Sequence, residues 1–256
     1  MGGGGFTMYE RTPALDALVL ALTGKRVPKI CFLPTASGDP SDQVSRFHDR
    51  FSAWPCEPSI LSLFHLARDR IDPVDHLLAQ DAIYVGGGSM RNMLAVWREH
   101  GVDEAVRAAW ESGVVLAGLS AGAMCWFQGG VSMSGGRPEA VPGLGLLPGS
   151  LSVHLDGESE RLPVFRDAVA SRALPAGYAA GDGAALVFAG RELAECVGSH
   201  ATARVLRLVP DGRGGVDELE LTVRLLEPAG ASKPPPGEAL AVGEMRDLRA
   251  GGSRWR

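Results

Sequence analysis

The sequence has few cysteines, no long apolar run and no excess of basic charge, and each of these features excludes a class of protein. Its cysteines form no C-x-x-C pair and have no histidine at zinc-ligand spacing, so we expect reduced thiols: Cys31, Cys56, Cys125 and Cys196. No apolar run reaches the ~20 residues of a membrane span, and the N-terminus lacks the regions of a signal peptide. We therefore expect a cytoplasmic protein. The net charge of -5 gives no indication of a nucleic-acid or membrane surface.

The composition is that of a globular protein with one sizeable core. The chain has 256 residues, of which 45% are hydrophobic and 21% charged. Short strand-like runs alternate with helical patterns, which is typical of a parallel sheet flanked by helices. We predict one three-layer α/β domain over residues 1–226, with a mostly parallel sheet. A Pro/Gly-rich segment, 227–256, is predicted to be a mobile tail.

Hydrophobic periodicity places the individual elements along the chain. The predicted strands are 29–33, 59–64, 81–85, 114–119, 151–155, 184–188, 193–197 and 203–209. The predicted helices are 42–51, 89–100, 103–112 and 158–172, together with one that Ala121 opens. Ser89 is placed to cap the second of these helices. Residues 129–150 are rich in Gly and Pro and are predicted to form a loop.

The G-x-S-x-G motif at Gly118–Gly122 contains a single hydroxyl, that of Ser120, between a predicted strand and a predicted helix. A tight strand-to-helix turn can project a serine outward as a nucleophile, with the Ala121 N–H facing a developing oxyanion. The same motif is also compatible with a packing turn whose serine only caps the helix. The motif alone does not decide between these two interpretations.

Three glycines, Gly86 to Gly88, end another predicted strand and allow close approach of the backbone to a ligand. The carboxyl ends of parallel strands share one edge, so this loop and Ser120 should lie together. The glycines do not complete G-x-G-x-x-G, which argues against a dinucleotide site. We expect the N–H groups of Gly88 and Ala121 to form an oxyanion hole.

A general base is the third component that such chemistry needs. Only His154 and His200 follow Ser120 in the sequence, and four other histidines precede it. His154 ends an apolar strand and is followed by several acids, which favours it as the base. His200 lies in a loop pattern typical of a surface residue.

Taken together, these motifs resemble the peptidase E family of serine peptidases, family S51. The resemblance rests on Val85–Gly88, G-L-S-A-G-A at 118–123 and H-x-D-x-E from His154, and it runs from G-G-G-G-F to about residue 226. It implies a class I glutamine amidotransferase-like, flavodoxin-like fold with Ser120 in the place of a cysteine. It also implies dipeptidase-like release of N-terminal Asp from short peptides, with no metal or cofactor.

The sequence departs from the family pattern at the acid and beside the glycine loop. Ser89 and Met90 replace a common Asn-Thr pair, and Met133 stands where relatives have an aspartate. We prefer Glu158 as the acid that orients His154, because some family members use a glutamate. The other candidates stay open: Glu139, Asp156, Glu160 and Asp182. Relatives also begin with a strand before the G-G-G-G-F loop, so either the start lies further upstream or the sheet lacks one strand.

Three functions follow from these residues. The preferred one is a serine peptidase acting on small peptides, with Ser120 as nucleophile and His154 as base. The second is a non-catalytic binding protein of the same fold with a degraded triad, and the third is an α/β-hydrolase esterase that would use Asp182 and His200. Arg91 is a candidate to bind an Asp side chain of the substrate, or is simply a solvated helix residue. We expect no nucleic-acid or membrane partner, and a homodimer stays open.

Overall fold

The computed structural model describes residues 1–7 and 13–227. The predicted tail therefore lies almost entirely outside the described residues. Two short 3-10 helices cover Gly5–Thr7 and Thr35–Ser37. The helices are α1 (Ala14–Leu22), α2 (Ser41–Ser52), α3 (Leu66–Asp69), α4 (Pro73–Leu78), α5 (Met90–Glu99), α6 (Val102–Glu111), α7 (Ala121–Met124) and α8 (Arg161–Ala170).

The strands in the described residues are short and numerous. They are β1 (Lys29–Leu33), β2 (Glu57–Ile60), β3 (Ala82–Val85), β4 (Val115–Gly118), β5 (Gly129–Ser132), β6 (Glu139–Pro142), β7 (Ser150–Val153), β8 (Gly177–Ala180), β9 (Ala184–Ala189), β10 (Glu192–Gly198), β11 (Val205–Pro210), β12 (Val216–Glu220) and β13 (Val223–Leu225).

A parallel sheet with the order β2-β1-β3-β4 forms the centre of the first half of the chain. Its β1 and β3 are buried on both faces, which is why they consist of continuous apolar runs. Successive side chains of β1 point to opposite faces, so Phe32 packs with α1 and α2 while Leu33 packs with α5 and α6. The predicted three-layer α/β architecture is confirmed.

The second half of the chain builds two further sheets. A six-stranded mixed sheet has the order β12-β11-β8-β7-β5-β6, and a three-stranded sheet has the order β13-β10-β9. Strands β7 and β8 run parallel, with Val153 opposite Ala180, so that their carboxyl ends meet at one edge. The predicted loop over 129–150 is wrong in part, because β5 and β6 pair there as an antiparallel hairpin. Gly129 and Gly130 at the start of β5 give the sequence the pattern of a loop and so hide this strand.

Local sequence signals explain the better-predicted helices. Ser89 precedes α5 and its Oγ accepts a hydrogen bond from Asn92 N at 3.2 Å, as predicted for an N-cap. The residues of α5 at helical spacing, Met90, Met93 and Trp97, are fully buried. Sequence periodicity misses α1, which is apolar over most of its circumference. No helix in the described parts of the chain is long and apolar enough to cross a membrane.

Candidate active site

Ser120 lies on a sharp corner between β4 and α7. Its backbone has φ 51° and ψ -117°, a conformation that costs a non-glycine residue about 1–3 kcal/mol. The corner requires small neighbours: a Cβ at Gly118 would collide with the carbonyl oxygen of Gly122, and one at Gly122 would collide with that of Val85. The Ser120 side chain makes no capping hydrogen bond to α7. The structure therefore argues against the helix-capping role that the motif left open.

His154 follows the carboxyl end of β7 and reaches across to Ser120. Its Nε2 lies 2.9 Å from Ser120 Oγ. The residue has a positive φ of 57°, which turns the chain away from the strand. Its carbonyl oxygen accepts hydrogen bonds from the N–H groups of Gly157 and Glu158, and these hold the turn in place. The predicted pairing of His154 with Ser120 is thus present in the geometry.

Asp182, rather than Glu158, lies against the second nitrogen of His154. The Asp182 Oδ1 is 2.7 Å from His154 Nδ1. Glu158 instead accepts a hydrogen bond from Arg161 Nε at 2.9 Å. The preference for Glu158 is corrected by this geometry: Glu158 precedes α8 and is held by Arg161, the first residue of that helix, whereas Asp182 follows β8, the strand beside β7.

The other candidate acids are also placed elsewhere. Glu139 forms an ion pair with Arg91 at 2.8 Å. Glu160 is exposed where α8 begins, and Asp156 is exposed beside Gly181. Among the described residues, Asp182 is the one carboxylate bonded to His154.

The three side chains form a continuous hydrogen-bonded line with a defined direction. A carboxylate can only accept, so Nδ1 of His154 carries the proton that it donates to Asp182. The unprotonated Nε2 can then accept the proton of the Ser120 hydroxyl. His154 and Asp182 are both partly buried, with side chains 22% and 30% exposed. Such a line can raise the nucleophilicity of the serine oxygen while a substrate still reaches it.

Backbone N–H groups that could hold an oxyanion surround Ser120. The N–H groups of Gly88 and Ala121 donate to no acceptor within the described chain. Gly87 lies against the serine: a Cβ placed there would be 3.2 Å from Ser120 Cβ. Gly88 has a φ of 139° and packs against the carbonyl oxygen of Ala36, so only glycine fits there. Since α7 has a single turn, the individual N–H groups matter here more than a helix dipole.

The N-terminal residues form part of the site, which sequence reasoning did not anticipate. Ser120 N donates to Met1 O at 3.1 Å, and Gly183 N donates to Gly3 O at 2.9 Å. A Cβ at Gly3 would collide with Asp182 Oδ1 and lie 3.0 Å from His154 Cε1. The glycine run at the start of the sequence is the signal that could have shown this close approach.

A cysteine five residues past Ser120 is a competing nucleophile that the structure argues against. Cys125 is buried, and burial raises the pKa of its thiol well above its usual value. Its Sγ donates to the Gly122 carbonyl oxygen at 3.2 Å. Cys125 is therefore a protonated, buried thiol that packs under the turn between β4 and α7.

The side chains of His200 and His76 have local hydrogen-bond partners. His200 Nδ1 lies 3.0 Å from Thr202 Oγ1, and the residue is exposed, so the esterase arrangement with His200 as base finds no support. His76 Nε2 forms a hydrogen bond of 3.1 Å with Ser59 Oγ, and burial lowers the pKa of His76. In residues 1–7 and 13–227 no group of three or more His, Cys, Asp or Glu side chains is placed to hold a metal ion.

Comparison with known proteins identifies the family of this chain. The family described as Peptidase family S51 matches residues 1–196. An uncharacterized peptidase of Bacillus subtilis (strain 168), YgaJ, is 43% identical over 226 residues, which are 88% of this chain and 97% of that protein. This chain belongs to peptidase family S51. The family confirms the predicted resemblance and makes the protein a peptidase.

Two solved structures are similar to parts or most of this S51 peptidase. The crystal structure of a peptidase from an acI-B1 Actinobacterium matches with a TM-score of 0.60 and 20% identity, over 87% of this chain and 92% of that one. A putative peptidase E protein from Listeria monocytogenes EGD-e matches with a TM-score of 0.42 and 18% identity, over 55% and 73% of the two chains. The first of these confirms the α/β fold.

Proposed function

We propose that this S51 peptidase is a serine-type enzyme that hydrolyses short peptides with Ser120, His154 and Asp182. The observation that supports it is the hydrogen-bonded line of 2.9 Å and 2.7 Å through His154. In this proposal Asp182 serves as the acid that relatives have at the position of Met133. This assignment therefore weakens the case for a non-catalytic binding protein, which rested on a degraded triad.

The reaction follows from the protonation states of the site. Ser120 Oγ attacks the scissile carbonyl carbon while its proton moves to His154 Nε2. The negative charge on the carbonyl oxygen is stabilised by the N–H groups of Gly88 and Ala121. His154 then donates its proton to the leaving amine, and the acyl group stays on Ser120. Water attacks that ester and loses a proton to His154 Nε2. His154 then donates this proton to Ser120 Oγ as the bond between Oγ and the acyl carbon breaks, and the carboxylate product leaves.

Asp182 stabilises the imidazolium that forms in each step. It holds the Nδ1 proton in place, so Nε2 always faces Ser120. The proton on Nδ1 stays there throughout, so the two side chains form an ion pair only while His154 carries a proton on both nitrogens. This function makes Asp182 a positioning residue that acts through His154.

The expected substrate is a short peptide with N-terminal Asp, as in the peptidase E family. Arg91 is a weaker candidate for binding the Asp side chain than the sequence suggested, because Glu139 already neutralises its guanidinium. The side chain of Arg91 is 58% exposed, which is also typical of a solvated helix residue. The preference for Asp therefore rests on the family resemblance.

The decisive experiment compares Ser120→Ala with a control serine. Ser112→Ala removes an exposed hydroxyl that bonds Ala108 O within its own helix, and it should leave hydrolysis of Asp-Leu and related dipeptides unchanged. Ser120→Ala should reduce turnover at least about 10³-fold without lowering the melting temperature by more than a few degrees. Near wild-type hydrolysis by Ser120→Ala would contradict serine chemistry. Equal turnover of Ala-Leu and Asp-Leu would contradict only the Asp preference.

A further inference from the structure

A buried carboxylate joins α1 to β3, and the proposed reaction gives it no role. Asp16 lies in the first turn of α1 and is fully buried. Its Oδ1 accepts a hydrogen bond from the Tyr84 hydroxyl at 3.2 Å, and its Oδ2 lies 3.6 Å from Arg50 Nη1. The cost of removing two charges from water can exceed the attraction between them, so a buried ion pair is weak evidence for a stabilising role. The presence of Asp16 here therefore needs an explanation beyond stability.

Tyr84 connects this carboxylate to the backbone beneath the nucleophile. It is fully buried and precedes Val85 at the carboxyl end of β3. The Val85 carbonyl oxygen accepts a hydrogen bond from Leu119 N at 3.1 Å, and a Cβ at Gly122 would collide with it. The glycine loop of residues 86–88 follows directly. The position of Tyr84 therefore affects both the corner that carries the serine and the loop that carries an oxyanion donor.

The N-terminal glycine run, residues 2–5, packs against the same hydrogen bond. Gly5 has a φ of 60°, and a Cβ placed on it would lie 2.6 Å from Asp16 Oδ1 and 2.6 Å from the Tyr84 hydroxyl oxygen. Only glycine lets the backbone pass this close in that conformation. The next residue, Phe6, packs edge-on against the Tyr84 ring, with the ring centroids 5.3 Å apart. The glycine run is therefore fixed at its end by Asp16 and Tyr84.

At its other end the glycine run contacts both sides of the hydrogen-bonded line. Met1 O accepts a hydrogen bond from the N–H of the nucleophile Ser120 at 3.1 Å. Gly3 O accepts one at 2.9 Å from the N–H of Gly183, the residue after the acid. The hydrogen bond between Asp16 and Tyr84 thus lies between two chain segments that each contact the site. One is β3 with its glycine loop, and the other is the N-terminal glycine run.

We propose that Asp16 and Tyr84 are positioning residues, whose hydrogen bond sets the distance between the nucleophile, the acid and the oxyanion donors. Both side chains act through the backbone, Tyr84 through the glycine loop and Asp16 through the glycine run. Loss of the bond lets the two segments shift against each other, and Ser120 shifts with them. A displacement of about 1 Å at reacting groups can lower a rate about 10²-fold. This inference rests on the proposed function, because it assigns a role in that reaction.

The test compares Tyr84→Phe with a matched loss of a buried hydroxyl. Tyr84→Phe keeps the ring and removes the donor to Asp16. Thr23→Val removes a buried hydroxyl at the other end of α1, where it donates to Leu20 O at 2.7 Å. Tyr84→Phe should slow fluorophosphonate labelling of Ser120 and lower kcat for Asp-Leu at least about tenfold, with KM within about twofold of the wild type. Thr23→Val should leave the labelling rate and kcat within about twofold, although it also lowers the melting temperature.

Asp16→Asn separates the hydrogen bond from the buried charge. The Asn side-chain oxygen can still accept the Tyr84 hydroxyl proton, but no carboxylate faces Arg50. We expect labelling of Asp16→Asn within about threefold of the wild type even where its melting temperature falls, whereas a merely structural role would make the rate follow the stability. Amide hydrogen exchange reports the positioning without any reaction. In Tyr84→Phe, residues 118–122 and 181–184 should exchange at least about tenfold faster than in the wild type and in Thr23→Val.

Labelling and exchange in Tyr84→Phe equal to those in Thr23→Val would overturn the inference, as would an Asp16→Asn protein that is labelled as slowly as Tyr84→Phe. If Tyr84→Phe does not fold, Gly5→Ala takes its place, because its Cβ separates the two side chains and keeps both. Gly5→Ala should slow labelling at least about tenfold, and a wild-type rate would overturn the inference. A wild-type protein that is not labelled would contradict the proposed function, and the exchange comparison would then decide the contact alone.

Discussion

Substitution of Asp182 by Asn tests the correction from Glu158 to Asp182. The 2.7 Å contact from His154 Nδ1 is a charge-assisted hydrogen bond, worth about 1.5–3 kcal/mol. An Asn amide can place its NH₂ at that point, where it donates to Nδ1. The histidine proton then moves to Nε2, which can no longer accept the proton of Ser120.

Two effects of Asp182→Asn should lower kcat. His154 takes the wrong tautomer, and the imidazolium that forms during the reaction is no longer stabilised by a carboxylate. We expect kcat to fall about 10³- to 10⁴-fold, equivalent to about 4–5.5 kcal/mol of activation free energy. The assay is hydrolysis of an Asp dipeptide at saturating substrate, with the melting temperature measured in parallel. KM should change less than kcat, because Asp182 makes no direct contact with the substrate in the proposed reaction.

Glu158→Gln is the matched control for this experiment. It also replaces one carboxylate by an amide, but it weakens the contact with Arg161 instead of the one with His154. Its kcat should stay within about threefold of the wild type. The argument is refuted if Asp182→Asn keeps activity within tenfold of the wild type, or if Glu158→Gln loses as much.

Three further predictions follow from single contacts. Gly3→Ala should lower kcat about 10²-fold, measured with the same dipeptide, because its Cβ displaces Asp182 and His154; a kcat near wild type would contradict the close packing. Ser89→Ala removes the cap of α5 and should lower the unfolding free energy by about 1 kcal/mol in urea denaturation, with kcat intact. The neutral Met1 amine is favoured in the folded state, so the protein that begins at Met1 should lose up to about 4 kcal/mol of unfolding free energy as the pH falls from 8 to 5. Urea denaturation at each pH measures this loss, and an unfolding free energy that stays constant between pH 8 and pH 5 would contradict it.

Much of the fold could be predicted because its signals are local. The buried parallel strand β3 is a continuous apolar run, and α5 combines a Ser89 cap with apolar residues at helical spacing. Both features depend on residues that are neighbours in sequence. The β5–β6 hairpin was missed because Gly129 and Gly130, within β5, give the pattern of a loop.

The approach of Ser120 and His154 could be predicted, whereas the sequence left Asp182 as one of five candidate acids and did not favour it. Ser120 directly follows a strand recognisable in the sequence, and His154 lies near the carboxyl end of another, so sequence alone places both at the sheet edge. Asp182 follows β8, a short Gly-Tyr-Ala-Ala strand that the periodicity did not show. Its approach to His154 depends on the parallel pairing of β7 and β8, which is a tertiary feature. Glu158 was preferred because some family members use a glutamate, but Arg161, the first residue of α8, holds it instead.

The most direct test of the central claim is covalent labelling of Ser120. The folded protein is incubated with a fluorophosphonate probe, and its intact mass and peptide map are recorded beside those of Ser120→Ala and Ser112→Ala. The account predicts one adduct, located on Ser120, in the wild type and in Ser112→Ala, and none in Ser120→Ala. Equal labelling of Ser120→Ala, or no labelling of a wild-type protein that hydrolyses the peptide, would contradict it.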